Sequence, residues 1–306
     1  MRCTDFCKVD IFGLSKNVNF VVLFLMMGAS FLYAQQIKFP SVAGMFYPAS
    51  KDKLQETIDS FLREANPDVE GDIVGIISPH AGYVYSGKVA AFAYKAIEGK
   101  DYDTVVVMGP SHYYNFHGAA LWREGFLRTP LGDIEVDKEM VSSIEENFSS
   151  VTFEKRIFER EHSIEVELPF LQTVLKEFRV VPIIIGYMDS KEMERLAETL
   201  FRLSQRQKVL LVASSDLSHY HTYFEAEEID SKTVECIKRA EVESFYEGCM
   251  KEEIEACGFR PITVLLYFTQ KCKAKPVFLK YLNSGDTSGN RQRVVGYCAF
   301  CFVRER

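Results

Sequence analysis

The chain has 306 residues, 47% of them hydrophobic, and a formal net charge of −7 at pH 7. Such a length and apolar content exclude a disordered or fibrous chain and suffice for one large domain with a full core. An acidic balance without a long lysine or arginine block argues against nucleic acid as a partner.

In chain order, the first feature is an apolar leader. Lys16 and Asn17 precede an apolar run from Val18 to Ala34, and Gln35 and Gln36 follow it. A basic flank, a short apolar stretch and a small final residue read as a secretory signal peptide over residues 1–34. Asp5 and Asp10 in the flank, and the bulky Leu32 near the end, depart from that pattern. Two other readings stand beside it: an uncleaved membrane anchor, or a start placed too far upstream, with Met26, Met27 or Met45 as the first residue. The first two imply an exported, periplasmic or membrane-anchored protein and the third a cytoplasmic one. Membrane contact is expected only through this segment. One domain is expected from residue 37 to residue 306.

Beyond the leader, apolar β-type runs alternate with amphipathic helical patterns. Strands are expected at 73–78, 104–108, 180–185 and 209–213, and a short β excursion at 119–137 around Thr129-Pro130-Leu131-Gly132-Asp133. Helices are expected at 86–97, 137–147, 165–178, 190–205, 225–240, 242–251 and 261–271. Two last strands, 274–283 and 294–303, flank a loop at 284–290 and would add an antiparallel edge. This alternation implies an α/β fold, a three-layer α/β/α arrangement around a mainly parallel mixed sheet.

Three strands end alike, in a small or turn-forming residue and then a histidine: His80 after Ser78-Pro79, His112 after Gly109-Pro110-Ser111, and His219 after Ser214-Ser215-Asp216-Leu217-Ser218. Ligands of open α/β sheets bind beyond the carboxyl ends of the strands, and neutral imidazole is the commonest metal ligand. One polar, metal-binding pocket is therefore expected. Each histidine taken alone also reads as an ordinary turn residue. Asp216, three residues before His219, either orients that imidazole as an acid/base partner or caps the following turn. Glu161-His162-Ser163 either faces the pocket or caps a helix, while His117 and His221 read as surface or lining residues.

Of the eight cysteines, Cys3 and Cys7 lie in the leader and the other six crowd the last third. Their spacing is not that of a small disulfide scaffold. Cys298 and Cys301 sit in a strand, where residues three apart face opposite sides, so two separate core thiols are expected.

Taken together, Pro79-His80-Ala81-Gly82-Tyr83, Gly109-Pro110-Ser111-His112, Thr129-Pro130-Leu131-Gly132-Asp133, Glu161-His162-Ser163-Ile164-Glu165, Ser214-Ser215-Asp216-Leu217-Ser218-His219, Cys257-Gly258 with Pro261-Ile262, and Asn283-Ser284-Gly285-Asp286 with Val294-Val295-Gly296-Tyr297 resemble the Memo family. The resemblance covers nearly everything after residue 37. It implies a fold like the catalytic subunit of class III extradiol dioxygenases. It also implies a metal set of His80, His112 and Cys257, with His219 and Asp216 in the position of the dioxygenase acid/base. His162, Tyr83, Ser111 and Glu161 are expected to line or support the pocket. On the residues alone Cys257 is a buried core thiol; a swing of Glu252, Glu253 or Glu255 into the site is the alternative. A thiolate suits iron(II), copper or zinc.

The expected function is a metal-dependent redox or oxygenase-type activity on a small aromatic or phenolic molecule. Tyr47, Tyr83, Tyr85, Tyr113, Tyr114 and Tyr220 are candidates to line its pocket or to pack near strand ends. A non-enzymatic peptide-binding module reusing the old pocket is the alternative, and a hydrolase pairing Cys257 with His219 is a third. The resemblance further implies a pathway link to an AMMECR1-like protein and a radical SAM enzyme.

Overall fold

The computed structural model describes residues 36–304; the expected leader, with Cys3 and Cys7, lies outside them. The chain opens with strand β1 (Ile37–Lys38), helix α1 (Lys51–Glu64), β2 (Asp72–Ser78), α2 (Tyr83–Ala96) and β3 (Thr104–Pro110). There follow β4 (Ala119–Leu121), β5 (Phe126–Thr129), β6 (Gly132–Glu135), α3 (Lys138–Asn147), β7 (Val151–Thr152) and α4 (Lys155–Glu159). A 3₁₀ turn (Glu165–Glu167) leads into α5 (Leu168–Val174), β8 (Arg179–Ile185), α6 (Ser190–Ser204), β9 (Val209–Ser214) and β10 (His219–His221). The last third holds α7 (Tyr223–Lys238), α8 (Val242–Met250), α9 (Phe259–Lys271), β11 (Ala274–Asn283), α10 (Ser284–Ser288) and β12 (Val294–Arg304).

Nine strands form the main sheet in the order β10-β12-β2-β9-β3-β8-β4-β7, with β11 also paired to β12. The middle four, β2, β9, β3 and β8, are parallel, and each reads as a continuous apolar run because helices cover both faces. On one side α2 packs with α1 and α5; on the other α9 packs with α6 and α8. The fold is thus α/β, with a mixed sheet between two helical layers. As expected, β11 and β12 are antiparallel, and β12 joins the sheet antiparallel to β2.

The expected excursion at 119–137 divides. β4 enters the main sheet antiparallel to β8, while β5 and β6 form a hairpin closed at Thr129 and Gly132, with β1 on its flank. The helix expected at 165–178 is shorter. Pro169 has no N–H to close an α-turn onto the Glu165 carbonyl, so the first residues wind as a 3₁₀ turn, and the helix stops at Val174 once its apolar face is buried. The loop expected at 284–290 contains α10, capped by Asn283 and Asp286 and ended by Gly289 at φ 77°. Helix α1 has no counterpart in the sequence reading, although Leu54, Ile58 and Leu62 bury one face at fourfold spacing. Cys298 and Cys301 are buried and unpaired, two separate core thiols as expected.

One buried carboxylate fastens the segment from Lys38 to Tyr47 to the 3₁₀ turn. Glu165 accepts hydrogen bonds from Lys38 Nζ at 3.0 Å, Ser41 N at 2.7 Å, Ser41 Oγ at 2.7 Å, Val42 N at 2.9 Å and the Tyr47 hydroxyl at 2.7 Å. Burial opposes its charge, but Lys38 and the Ser41 and Val42 donors outweigh burial and hold the carboxyl below its usual range. Glu165→Ala, which leaves these donors without their acceptor, is expected to cost about 3 kcal/mol in urea unfolding. Because the folded carboxyl titrates below the unfolded one, this stabilisation is complete above the ordinary value of 4.5 and fades as pH falls through the depressed one. The stability gap between the native chain and Glu165→Gln should therefore narrow in acid below that value. A gap independent of pH would contradict the assignment.

Candidate metal centre

Strands β2 and β3 flank β9, and the ends of all three meet. Pro79 cannot donate a ladder bond, so β2 stops at Ser78 and releases His80 at the sheet's edge. His80 is buried. Its Nδ1 lies 2.7 Å from Ser214 Oγ, and that hydroxyl donates to the Ser163 carbonyl at 2.6 Å. A hydroxyl has one proton, so Ser214 must accept from His80, and Nδ1 carries the ring hydrogen. Burial, then the neighbouring His112, His162 and His219, push the His80 pKa well down. The ring is neutral, with the Nε2 lone pair aimed at Cys257 Sγ, 3.2 Å away.

His112 is built the same way with a stronger partner. Glu161, itself buried, takes His112 Nδ1 at 2.8 Å and the His112 backbone N–H at 2.7 Å. The backbone N–H groups of His162 and Ser163 also bind this carboxylate, each at 2.9 Å. Burial raises the Glu161 carboxyl, yet His112 and these amides overcome it and bring it to about 2. An ionised Glu161 can only accept, so His112 also offers Nε2 to the pocket. His162 stacks on His112 with ring centroids 4.6 Å apart. Burial lowers the His162 pKa to about 4; its buried Nδ1 makes no hydrogen bond, with Glu161 Oε1 3.7 Å away.

Cys257 comes from the loop before α9. Its backbone N–H donates to the Asp216 carbonyl, and Gly258 N donates to Ser215 Oγ. Glycine is required next to it: a Cβ on Gly258 would lie 2.4 Å from the Ser214 carbonyl oxygen. Gly109 plays the same part at the end of β3, where a Cβ would meet Ser163 Oγ at 2.3 Å. Burial and then the Asp216 charge push the Cys257 thiol up. The ligating atoms of His80, His112 and Cys257 lie within 4.8 Å of one another. Atoms bound to one first-row ion stand roughly 3.5 Å apart, so the set fits a metal with small side-chain rotations. Two imidazoles and a sulfur suit copper(I), zinc or iron(II). Burial lowers the His112 pKa, but the hydrogen bond and charge of Glu161 outweigh burial and raise it, so a metal there would have to displace a proton. His112, Glu161 and His162 form a second such group.

A cleft of about 640 Å³ opens over the two histidines and is bounded by His162, Asp216, His219, Tyr85, Tyr220 and Arg293, among others. His219 Nδ1 bonds the Leu217 carbonyl at 2.8 Å, which leaves Nε2 free as a base. Asp216 does not hydrogen-bond His219, contrary to the expected orienting pair. Its carboxylate instead accepts the His80 backbone N–H at 2.9 Å. It remains in the cleft beside His219, and burial raises its pKa to about 6 against the pull of His219. Tyr220, between His219 and His221, holds φ at 66°, a conformation costly for a residue with a side chain.

Other expectations need correction. Tyr83 is buried with its hydroxyl on the Val166 carbonyl and does not reach the cleft; Tyr47 is likewise core. Tyr83 opens α2 on its inward side, and Tyr47 lies in the segment before α1 with its hydroxyl on Glu165. Ser111 faces a different cavity and donates to the Tyr114 carbonyl. Glu255 is committed to His221 and the His219 amide, and Glu252 and Glu253 are exposed, so no glutamate swings in. Cys257 contacts His80 rather than His219, which removes the expected hydrolase pair. His117 is a surface residue bonded to Glu192. Sequence reasoning missed Ser214, Ser163 and the Leu217 carbonyl, which hold the rings. It also missed Glu167, whose carboxyl burial raises to about 7 beside the Tyr94, Ser214 and Ser78 hydroxyls.

Among known proteins, the family profile described as Memo-like protein matches residues 38–301. A MEMO1 family protein of Thermoplasma acidophilum is 35% identical over 267 residues, 86% of this chain and 98% of its own length. The MEMO1 family protein of Caldivirga maquilingensis is 37% identical over 280 residues, 87% of this chain and 98% of its own. That of Nitrosopumilus maritimus is 34% identical over 274 residues, 87% of this chain and the whole of its own length, 100%.

The hydrogen-bond directions make a prediction that needs no metal. Long-range ¹H–¹⁵N spectra of the metal-free protein at neutral pH should show His80 as a neutral Nδ1–H tautomer. Ser214→Ala should disturb the His80 pattern and spare that of His219. An Nε2–H tautomer at His80 would refute the assignment.

Proposed function

The chain belongs to the Memo family, and for this member we propose a metal-dependent oxidoreductase of dioxygenase-like type in which His80, His112 and Cys257 hold iron(II) or copper. The observation that carries this is the convergence of their three ligating atoms within 4.8 Å, with both Nδ1 atoms tied to acceptors behind the site. When bound, iron or copper supplies the one-electron chemistry that protein side chains lack, whereas zinc supplies only Lewis acidity.

The chain's own residues divide the remaining work. Ser214 and Glu161 fix the two rings. His219, with Nε2 open to the cleft, takes a proton from a phenolic hydroxyl, and the nearby Asp216 charge favours the resulting imidazolium. Tyr85 and Tyr220 offer aromatic edges at the mouth for a flat substrate. His162 and Phe46 pack as a wall, ring centroids 4.8 Å apart, and limit water on that side.

Purified anaerobically, the chain should carry a stoichiometric metal by elemental analysis, lost in His80→Ala and in Cys257→Ala. Glu161→Gln should weaken metal affinity by about 10–100-fold without removing a ligand. His219→Ala should keep the metal and lose oxygen uptake with catechols by about 100-fold or more. Failure to take up iron, copper or zinc under any loading would overturn this reading and leave the cleft as a peptide- or partner-binding surface.

A further inference from the structure

A second cavity, of about 510 Å³, reaches Cys257 without touching His80, His112 or His219. It lies among the loop after β3, the end of β8 and the start of α9, and that volume falls in the usual range for small-molecule sites. Its walls mix polar and apolar surface, with the rings of Tyr114, Phe116 and Tyr187 beside Ile185 and with Ser111 and Asn115 among the polar groups.

One cation lines it. Arg260 is half-buried, and among the described residues no carboxylate pairs with it and no acceptor takes its N–H groups; its Nε is buried without a partner. The guanidinium rests against aromatic faces instead, 4.4 Å from the Phe259 ring centre and 5.3 Å from that of Tyr187. Cation–π contact offsets part of the lost hydration but fills none of the five donors of the guanidinium fork. Burial pulls the Arg260 pKa down, the mark of a charge short of a counterion. A half-buried arginine in a concave site, its Nε shut from water without a partner, is matched by a planar two-oxygen anion.

We propose that this cavity binds a small organic carboxylate with a flat apolar body, its carboxylate on Arg260 and its body against the rings of Tyr114, Phe116 and Tyr187. The aromatic walls favour such a body over a bare inorganic anion, whose hydration they could not replace. Bound there, the carboxylate lies on the Cys257 side of the histidine–cysteine set, apart from the cleft of His219. The inference does not rest on any metal being present.

Calorimetric titration of the metal-free full chain tests it, with sodium benzoate as the probe and benzyl alcohol and inorganic phosphate as comparisons. One benzoate site is expected, weakened at least about tenfold by Arg260→Met. The neutral alcohol and the phosphate should each bind at least about tenfold more weakly than benzoate. Arg260→Lys should recover part of the affinity, and Arg63→Met, which removes an exposed charge on α1, should leave it unchanged. In the wild-type chain, benzoate should shift the amide signals of Asn115, Tyr187 and Cys257 and not those of His219 or Asn290. That map decides the matter should Arg260→Met fail to fold. Absent benzoate binding, equal affinity in a folded Arg260→Met, or shifts centred on His219 would each overturn the proposal. Phosphate binding more tightly than benzoate would overturn the choice of an organic carboxylate.

Discussion

Parallel pairing of β2, β9 and β3 is the constraint on which everything else depends. Ser78 stands level with Ser214, and Met108 with Ala213, so three carboxyl ends finish within a residue or two of one another. Were one of the seven-residue strands β2 or β3 reversed, its histidine would emerge at the opposite edge, roughly 20 Å away at 3.3 Å per residue. The register therefore does the first part of the assembly before any side chain contributes. It also explains the chemistry of the strands themselves. Buried on both faces, they hold nothing polar between their end residues, and polarity returns where the backbone leaves the ladder.

Beyond that edge stands a set of acceptors facing backwards. Serine, carboxylate and carbonyl oxygens take the Nδ1 hydrogens of His80, His112 and His219, and so every Nε2 points forward. The acids differ by environment rather than by type. Glu161 collects an imidazole and three amides and is held at about 2, while Glu167, buried with hydroxyl partners only, rises to about 7. Two glutamates six residues apart thus serve as a fixed negative charge and as a group able to hold a proton near neutrality.

Much of this was legible. Apolar runs closed by proline or serine placed the strands, and the recurrence of histidine after three of them placed the pocket, because strand ends and breakers are local properties of the chain. The fold class came from the same alternation. The glutamate before His162 could be named but not assigned, since its partner His112 is 49 residues away and only the tertiary fold brings them together. The Leu217 carbonyl that orients His219 was invisible in principle: any residue would supply it. Tyr83 adjoins a ligand in sequence, yet its side chain lies on the inward side of the first turn of α2, while its neighbours Val84 and Tyr85 are exposed. Cys257 was beyond patterning altogether, as its place is fixed by loop hydrogen bonds and by the room Gly258 leaves beside β9.

Cys257 also sets the electrical character of the site. Its sulfur receives the Asp216 backbone N–H at 3.3 Å and has Ser215 Oγ at 3.9 Å, contacts that favour a thiolate. Burial and the Asp216 carboxylate act the other way and win, so the isolated side chain keeps its proton. In the proposed site a cation held by Cys257, His80 and His112 would turn the balance, because it would both offset the lost hydration and cancel the repulsion from Asp216. Deprotonation and cation capture are then one event. A carboxylate in the same position would be charged beforehand and would attract hard cations as readily as soft ones. In the proposed metal site, a half-buried thiol held protonated by its surroundings would favour an ion able to displace its proton, a thiophilic one over a hard one.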